Sequence, residues 1–313
     1  MQPITLTIGI PAYNEQNNIA RLLNSLLSQK QIGFVIEKII VVTDGSTDDT
    51  NAKVESVADP RIVLVTSVER QGQNQAQQKI FTMAESDAVV LMEADTVPAS
   101  VDYLAKLTSY LLEENRIGLV QGNPQLLPPT TLVGKIIDDQ KQSYAKYSFG
   151  HLDPENVCSG RGGRLFAKSV YQNLIWPESV PEDCYALLWC REHQIPTKFA
   201  EPARTFYQPP QSLQELINER TKVLLGQKAL KAYFPEAQVS KLYNDMNSIQ
   251  KTLGLKRLLL MSADLFFRSP ISFFGYLILK PCFSWLVNDQ GNFNPRWQMN
   301  PTTKLLWKNR EHE

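Results

Sequence analysis

Two carboxylates separated by one residue form the triplet Glu93-Ala94-Asp95, which follows an apolar run and precedes Pro98. Carboxylates at this spacing can chelate a hard cation such as Mg²⁺ or Mn²⁺ and leave coordination positions open for phosphate oxygens. A solvated acidic loop would carry the same residues. The apolar run favours the metal site, because it places the triplet at the end of a buried strand.

Two further carboxylates could complete the chemistry. Asp44 follows apolar residues 39–43, and its oxygens could accept a hydrogen bond from a base N–H of a nucleotide. Capping of the next helix by Asp44 or Ser46 is the alternative. Asp183 stands just before a helical stretch, where it could take the proton of an attacking hydroxyl as a general base. The alternative for Asp183 is a negative charge favoured by the helix dipole.

Basic side chains that could meet a diphosphate leaving group lie at Arg220 and Lys222, on a predicted helix. A solvated helix face with charge pairs to neighbouring glutamates would explain the same residues.

The first 123 residues alternate short apolar runs with longer helical patterns, which is typical of a parallel sheet built from βαβ units. Strands are predicted over 6–10, 39–43, 62–66, 88–93 and 118–121, and helices over 15–29, 47–58, 73–85 and 100–114. Asn14, Ser46 and Ser100 are the expected N-caps. Because ligands lie beyond the carboxyl ends of such strands, loops 11–15, 43–48 and 93–98 are expected to form one site.

After residue 129 this rhythm stops, and a long helix over 132–147, a glycine-rich stretch over 159–164 and further helices follow. We expect a nucleotide-binding half over 1–123, an acceptor-binding and catalytic-base half over 124–235, and a helical extension over 236–313. Lysine plus arginine equals aspartate plus glutamate at 32 each, so the charge gives no indication of a nucleic-acid partner. The four cysteines form no CxxC pair and the first residues lack an export signal, which predicts a reducing, cytoplasmic setting.

Taken together and in this order, the motifs resemble those of the family 2 glycosyltransferases, inverting enzymes of GT-A fold that use nucleotide sugars. The matching stretches are residues 8–15, 41–48, 70–73, 91–95, 158–160, 181–183 and 220–222. The resemblance implies an α/β fold in which a mostly parallel, Rossmann-like sheet is flanked by helices and followed by a helical C-terminal extension. It also implies a hexosyltransferase activity.

Residue by residue, the resemblance implies roles for particular side chains. Asp44 would contact the base, Asp95 would ligate Mg²⁺ or Mn²⁺, and Asp183 would be the catalytic base. The residues that would bind the nucleotide sugar are Pro11, Tyr13, Glu15, Asp44, Glu93, Arg220 and Lys222.

The sequence departs from the family pattern at several positions. Thr43 stands where the family has an acidic residue, Glu93 replaces an aspartate, and Gln73 replaces a lysine directed at phosphate. The basic motif at 220–222 lacks its glutamine and tryptophan. We therefore expect one sugar to be added per acceptor rather than processive polymer synthesis.

The C-terminal region from 256 to 287 is basic and apolar. Its stretch 271–287 is interrupted by Lys280 and Pro281 and falls short of the roughly 20 residues that a spanning helix needs. Its aromatic content and its basic neighbours Lys256, Arg257 and Arg268 favour peripheral contact with the inner face of a membrane, and with it a lipid-linked or cell-envelope glycan acceptor. A helix pair packed on the catalytic domain, or a dimer contact, is the alternative.

Other functions stay open. A polyprenyl phosphate acceptor would need no base, because its phosphate oxygen is already a nucleophile. A nucleotidyltransferase could share the sheet, but the glycine-rich, arginine-containing phosphate loop expected after the first strand is missing. A non-catalytic nucleotide-sugar-binding scaffold would explain Thr43, Gln73 and Glu93. Asp44 could pair with uracil, guanine or thymine, and we expect a UDP-sugar donor in preference to a GDP- or dTDP-sugar.

Overall fold

The computed structural model describes residues 2–114, 116–148, 158, 160–247, 254–286, 294 and 301–305. The chain forms two compact units that are each discontinuous in sequence. Unit 1 comprises residues 1–125, 158–207 and 294–313, and unit 2 comprises residues 126–157 and 208–293. The three-part division at residues 123 and 235 stays a prediction.

Strands and helices alternate through the first part of unit 1. In chain order these elements are β1 (Ile4–Ala12), α1 (Ile19–Leu27), β2 (Phe34–Asp44), α2 (Thr50–Glu55), β3 (Ile62–Ser67), α3 (Gln73–Met83) and β4 (Ala88–Leu91). Strand β1 pairs in parallel with β2 and β4, and β2 pairs in parallel with β3. The carboxyl ends of these four strands therefore lie along one edge of the sheet.

Antiparallel strands extend this parallel sheet. The elements that follow are β5 (Thr96–Pro98), α4 (Tyr103–Glu113), β6 (Leu119–Leu126), α5 (Leu132–Ser148), β7 (Arg164–Ala167), α6 (Lys168–Tyr171), α7 (Glu182–Glu192) and β8 (Thr197–Tyr207). The strand order is β3-β2-β1-β4-β7-β6-β8-β5. Strand β7 pairs antiparallel with β4 and β6, and β5 with β8. The predicted α/β fold, with its parallel βαβ beginning, is confirmed.

Apolar periodicity explains the core of unit 1. Leu6, Ile8 and Ile10 of β1 are fully buried, as expected for a central strand of a parallel sheet that is covered on both faces. In α1 the buried residues recur at helical spacing and form one face: Ile19, Leu22, Leu23 and Leu26. These are the side chains that fix the loops at the carboxyl edge in place.

Of the four predicted helix starts, that of α3 at Gln73 was right and the other three were three or four residues too early. The N-caps are Asn18 for α1, Asp49 for α2 and Asp102 for α4. The polar residues expected as caps hold loops instead. The Asn14 side chain accepts a hydrogen bond from the backbone N–H of Thr47 at 2.8 Å, the Ser46 hydroxyl accepts one from the backbone N–H of Asn14 at 3.1 Å, and the Ser100 hydroxyl donates to Asp102.

Unit 2 is helical in its described residues. Besides α5 it contains α8 (Leu213–Leu230), α9 (Glu236–Asn247), α10 (Gly254–Arg268) and α11 (Pro270–Leu286), and α5 packs against α10 and α11. Asp139 and Asp264 form ion pairs with Arg268, which ties α5 to α10. Among the helices that the structure describes, none combines the length and apolarity needed to cross a bilayer.

Candidate active site

The loops after β1 and β2 are joined through Asn14, whose φ of 53° lies in the left-handed region that asparagine tolerates. In this conformation its side chain holds Thr47, while its own backbone N–H is held by Ser46. The backbone N–H of Glu15 donates to the Thr50 hydroxyl at 2.7 Å. Hydrogen bonds therefore link the two loops that are predicted to border a nucleotide.

Asp44 is buried at the end of β2 and holds the loop before α3. Its two carboxylate oxygens accept hydrogen bonds from the backbone N–H groups of Gln71 and Gly72, both at 2.7 Å. Gly72 adopts a φ of 105°, which only glycine takes readily. This loop also carries Arg70, whose guanidinium lies 3.9 Å from the centre of the Tyr13 ring. Neither Asp44 nor Ser46 caps α2, so the alternative role in helix capping is wrong.

Glu15 is buried beside the end of β1 and contacts Lys304, which comes from the far end of the chain. The Lys304 ammonium forms an ion pair with the Glu15 carboxylate and donates to the backbone carbonyl of Tyr13 at 2.5 Å. Asn18 donates to Glu15 at 2.7 Å and to the carbonyl of Thr303 at 2.9 Å. Sequence reasoning missed Lys304, because nothing in a motif links residues 289 positions apart.

Burial dominates the electrostatics of Glu15. Desolvation raises its pKa to about 7, the Lys304 charge opposes that shift, and the negative charge of Asp95 adds to it. Two carboxyl groups, Glu15 and Asp95, thus share one buried region in which a positive charge is favoured.

Asp95 is buried, with 3% of its surface exposed, and its Oδ1 has no hydrogen-bond partner among the described residues. A buried carboxylate oxygen without a partner is costly unless something else compensates it. An oxygen ligand of this kind suits Mg²⁺ or Mn²⁺, so the residues present fit the implied metal.

Glu93 has a different environment from Asp95. It lies two residues after β4, is about one-fifth exposed, and forms an ion pair with Arg161 in which the Glu93 Oε2 to Arg161 Nε distance is 3.8 Å. The two acids of the triplet are therefore not equivalent. Asp95 has the environment of a metal ligand, whereas the charge of Glu93 is balanced by an arginine.

Asp183 lies in the first turn of α7, and two backbone groups hold its carboxylate. Its Oδ1 accepts from the N–H of Cys184 at 2.7 Å, and its Oδ2 accepts from the N–H of Gly160 at 3.2 Å. A disulfide between Cys158 and Cys184 joins the same two segments covalently. The sequence pattern did not predict this disulfide, since a separation of 26 residues is not a signal for pairing, and the disulfide disagrees with the reducing setting predicted from the cysteines.

Glu182, next to Asp183, is buried in a polar cluster. Its Oε1 accepts a hydrogen bond from Gln73 Nε2 at 3.0 Å and lies 3.6 Å from Arg164 Nη2. Gln73, which replaces the family's lysine, is thus bound to Glu182. Arg164 is 1% exposed, and its Nε and Nη1 have no hydrogen-bond partner in the described part of the chain.

Of the predicted site residues, those in unit 1 come from strand ends, loops and one helix start around the carboxyl edge of the parallel strands. Pro11, Tyr13, Glu15, Asp44, Glu93, Asp95 and Asp183 belong to this group. Arg220 and Lys222 lie on α8 in unit 2, so their contact with a diphosphate stays a prediction.

Comparison with known proteins gives a family. The model of the family described as "Glycosyl transferase family 2" matches residues 7–169. An Escherichia coli UDP-Glc:alpha-D-GlcNAc-diphosphoundecaprenol beta-1,3-glucosyltransferase is 25% identical over 146 residues, covering 47% of this chain and 56% of the relative. A poly-beta-1,6-N-acetyl-D-glucosamine synthase of Staphylococcus aureus is 25% identical over 236 residues, covering 71% of this chain and 54% of the relative. The chain thus spans about half the length of the curated relatives it matches.

Solved structures support the fold. A mannosyltransferase from Pyrobaculum calidifontis, in complex with GDP-Man and Mn²⁺, superposes with a TM-score of 0.61 at 17% identity and covers 91% of this chain and 86% of that one. S. aureus TarS in complex with UDP-GlcNAc gives a TM-score of 0.53 at 15% identity, covering 91% and 82%. Both likenesses identify the fold as that of the GT-A glycosyltransferases.

Proposed function

The chain belongs to glycosyl transferase family 2, and from that premise we propose that it moves one sugar from a metal-bound nucleoside-diphosphate sugar to an acceptor hydroxyl, with inversion. Membership of the family supports a glycosyltransferase that uses a nucleotide sugar. Metal dependence, single transfer, a UDP-sugar donor and the acceptor are our proposal.

The observation that carries the proposal is the Oδ1 of the buried Asp95, which no described residue meets with a hydrogen bond. Asp95 would hold Mg²⁺ or Mn²⁺, and the cation, when bound, supplies positive charge to the leaving diphosphate. The charge of Asp95 is one of the causes that raise the pKa of the buried Glu15, so the two carboxyl groups interact electrostatically.

The nucleotide would bind along the carboxyl edge. Pro11, Tyr13, Glu15 and Asp44 come from the two loops that Asn14 joins, and Glu93 would lie near the ribose. The Arg70 guanidinium that covers one face of the Tyr13 ring keeps that ring in a fixed orientation. Arg220 and Lys222 of α8 would steady the diphosphate.

Asp183 would be the general base. The N–H groups of Gly160 and Cys184 fix its carboxylate, and a carboxylate that accepts two hydrogen bonds still has lone pairs for the acceptor's proton. In the proposed displacement the acceptor oxygen attacks the anomeric carbon as its proton passes to Asp183, and the bond to the diphosphate breaks.

We propose a lipid-linked or cell-envelope glycan as the acceptor, at the cytoplasmic face of a membrane. The support is the exposed apolar surface of α10 and α11. Its most exposed side chains are Phe267 (82%), Ile271 (65%), Ile278 (65%) and Leu259 (62%). Arg268 does not add to a lipid-facing charge as the sequence predicted, because it is engaged by Asp139 and Asp264.

The test is a panel of UDP-, GDP- and dTDP-sugars with Mn²⁺ or Mg²⁺, scored by thermal shift and by release of nucleoside diphosphate. Wild type should release the diphosphate from one donor, and Asp95→Asn should lose metal-dependent stabilisation and about 100-fold or more in rate. Asp102→Asn, at a half-exposed carboxylate elsewhere in unit 1, is the control.

Three results would contradict the proposal. Metal-dependent turnover that survives in Asp95→Asn would remove the metal role. Asp183→Asn with full transfer activity would remove the base and favour a polyprenyl phosphate acceptor instead. Binding of a nucleotide sugar without turnover of any donor would support the non-catalytic scaffold.

A further inference from the structure

Hydrogen bonds to three of its backbone carbonyls hold the glycine-rich loop over residues 160–163. The backbone N–H of Gly163 donates to the carbonyl of Gly160 at 3.1 Å, and the Tyr103 hydroxyl donates to the carbonyl of Gly162 at 2.8 Å. The Thr205 hydroxyl donates to the carbonyl of Arg161 at 2.7 Å. Such a loop holds the one long side chain it carries, that of Arg161, in a defined place.

The glycines allow this close fit. A Cβ at Gly160 would come within 2.3 Å of Glu93 Oε1, and one at Gly162 within 2.0 Å of the carbonyl oxygen of Gly122. Gly163 has a φ of 75°, in the left-handed region. The loop therefore packs directly against Glu93 of the acidic triplet, and Arg161 is the one residue of the loop that carries a side chain.

The Arg161 side chain lies between groups of the site and is about one-quarter exposed. Its guanidinium lies 4.7 Å from the centre of the Tyr207 ring and forms the long ion pair with Glu93. Arg164, three residues on, is 1% exposed and lies against the buried Glu182. The two arginines of the stretch thus differ, and only Arg161 can reach a solute.

We propose that Arg161 binds a phosphoryl group of the acceptor, so that acceptors carrying phosphate near the reacting hydroxyl are the preferred class. This inference rests on the proposed function. A guanidinium presents a planar fork of N–H donors that matches phosphate oxygens, and stacking on an aromatic ring fixes the plane of that fork.

The position of Arg161 selects the acceptor over the donor. The preceding residue, Gly160, holds the carboxylate of Asp183, and a general base must face the acceptor hydroxyl. The charge of the donor diphosphate would be met elsewhere, by a cation held on Asp95 and by Arg220 and Lys222. Arg161 therefore joins Glu93, proposed on the donor side, to the loop that holds the base, and we assign its guanidinium to the acceptor.

The experiment uses the full chain with the donor and metal found in the panel above. Two acceptors with the same sugar are compared: a short-chain polyprenyl diphosphate sugar and the alkyl glycoside. The variants are Arg161→Gln and Arg161→Lys, with Arg204→Gln, at an exposed arginine of β8, as the matched control.

Arg161→Gln should lower kcat/KM for the diphosphate-linked acceptor about tenfold to a hundredfold, as expected for loss of charge-assisted hydrogen bonds. The alkyl glycoside should change less than about threefold, since it offers no phosphate to lose. The dissociation constant of the nucleoside diphosphate with Mn²⁺ should stay the same. Arg161→Lys should fall between wild type and Arg161→Gln, because it keeps the charge and loses the fork.

Three results would overturn the inference. The first is an equal loss of kcat/KM on both acceptors when Arg161 is replaced by Gln. The second is weaker binding of the nucleoside diphosphate by that variant, which would assign Arg161 to the donor. The third is a wild type that prefers the alkyl glycoside, which would leave the proposed function standing. A wild type that releases no nucleoside diphosphate from any donor would overturn the proposed function as well.

Discussion

Single residues differ here more in environment than in type. Asp44, Glu93, Asp95 and Asp183 are all acids of the predicted site, yet only Asp95 combines burial with a partnerless oxygen. The sequence proposed these four acids as site residues, and their roles stay predictions. It could not predict that backbone N–H groups hold Asp44 and Asp183, because such contacts depend on loops that are distant in sequence.

The raised pKa of Glu15 predicts a pH-dependent stability. An acid with a pKa of about 7 in the folded protein and 4.5 in the unfolded chain keeps its proton up to a higher pH when the protein is folded. The folded state then binds more protons between these values, so the free energy of unfolding should fall as pH rises from 4.5 to 7. Glu15→Gln should remove most of that fall, of the order of 1–3 kcal/mol.

Urea unfolding at a series of pH values measures this slope. Glu55→Gln, at an exposed glutamate of α2, is the control and should keep the wild-type profile. Equal slopes in the wild type and the Glu15→Gln variant would show that the Lys304 ion pair outweighs burial.

The apolar residues of the sequence predicted the strands and the buried helix face well, whereas the polar residues predicted the helix starts poorly. The strands of the parallel sheet and the buried face of α1 could be predicted, because burial on a sheet or helix imposes a period on the sequence. The helix starts could not, because Asn14 and Ser46 are equally suited to caps and to loop-to-loop hydrogen bonds. Arg161 was visible in the glycine-rich stretch, but its role depends on β8 and on Glu93.

Because a disulfide links α7 to the segment before the glycine-rich loop, we expect both stability and turnover to depend on that disulfide. Cys158–Cys184 restrains the two segments whose N–H groups hold Asp183. Reduction should lower the free energy of unfolding by about 3 kcal/mol on a loop-entropy estimate. It should also lower kcat several-fold while the dissociation constant of the nucleoside diphosphate stays the same.

Unfolding and turnover with and without a thiol reductant measure both effects. The matched control is the double variant Cys158→Ser/Cys184→Ser, in which the reductant should have no effect. Loss of nucleotide binding in parallel with turnover would show a general loss of structure rather than misplacement of Asp183.

On the scale of the whole molecule, the exposed apolar surface of α10 and α11 in unit 2 predicts attachment to a membrane surface. Phe267 and Ile271 are more than 60% exposed, and burying each in the lipid interface contributes about 1.5–3 kcal/mol. The double variant Phe267→Ser/Ile271→Ser should therefore bind vesicles of phosphatidylethanolamine and phosphatidylglycerol at least about tenfold more weakly. Ile175→Ser, at a residue of unit 1 that is 70% exposed, should bind as wild type does. Flotation with the vesicles measures the difference, and turnover on a soluble alkyl glycoside should be equal in all three proteins. Equal flotation of the double variant and wild type would mean that this surface contacts protein, as in the helix-pair or dimer alternative.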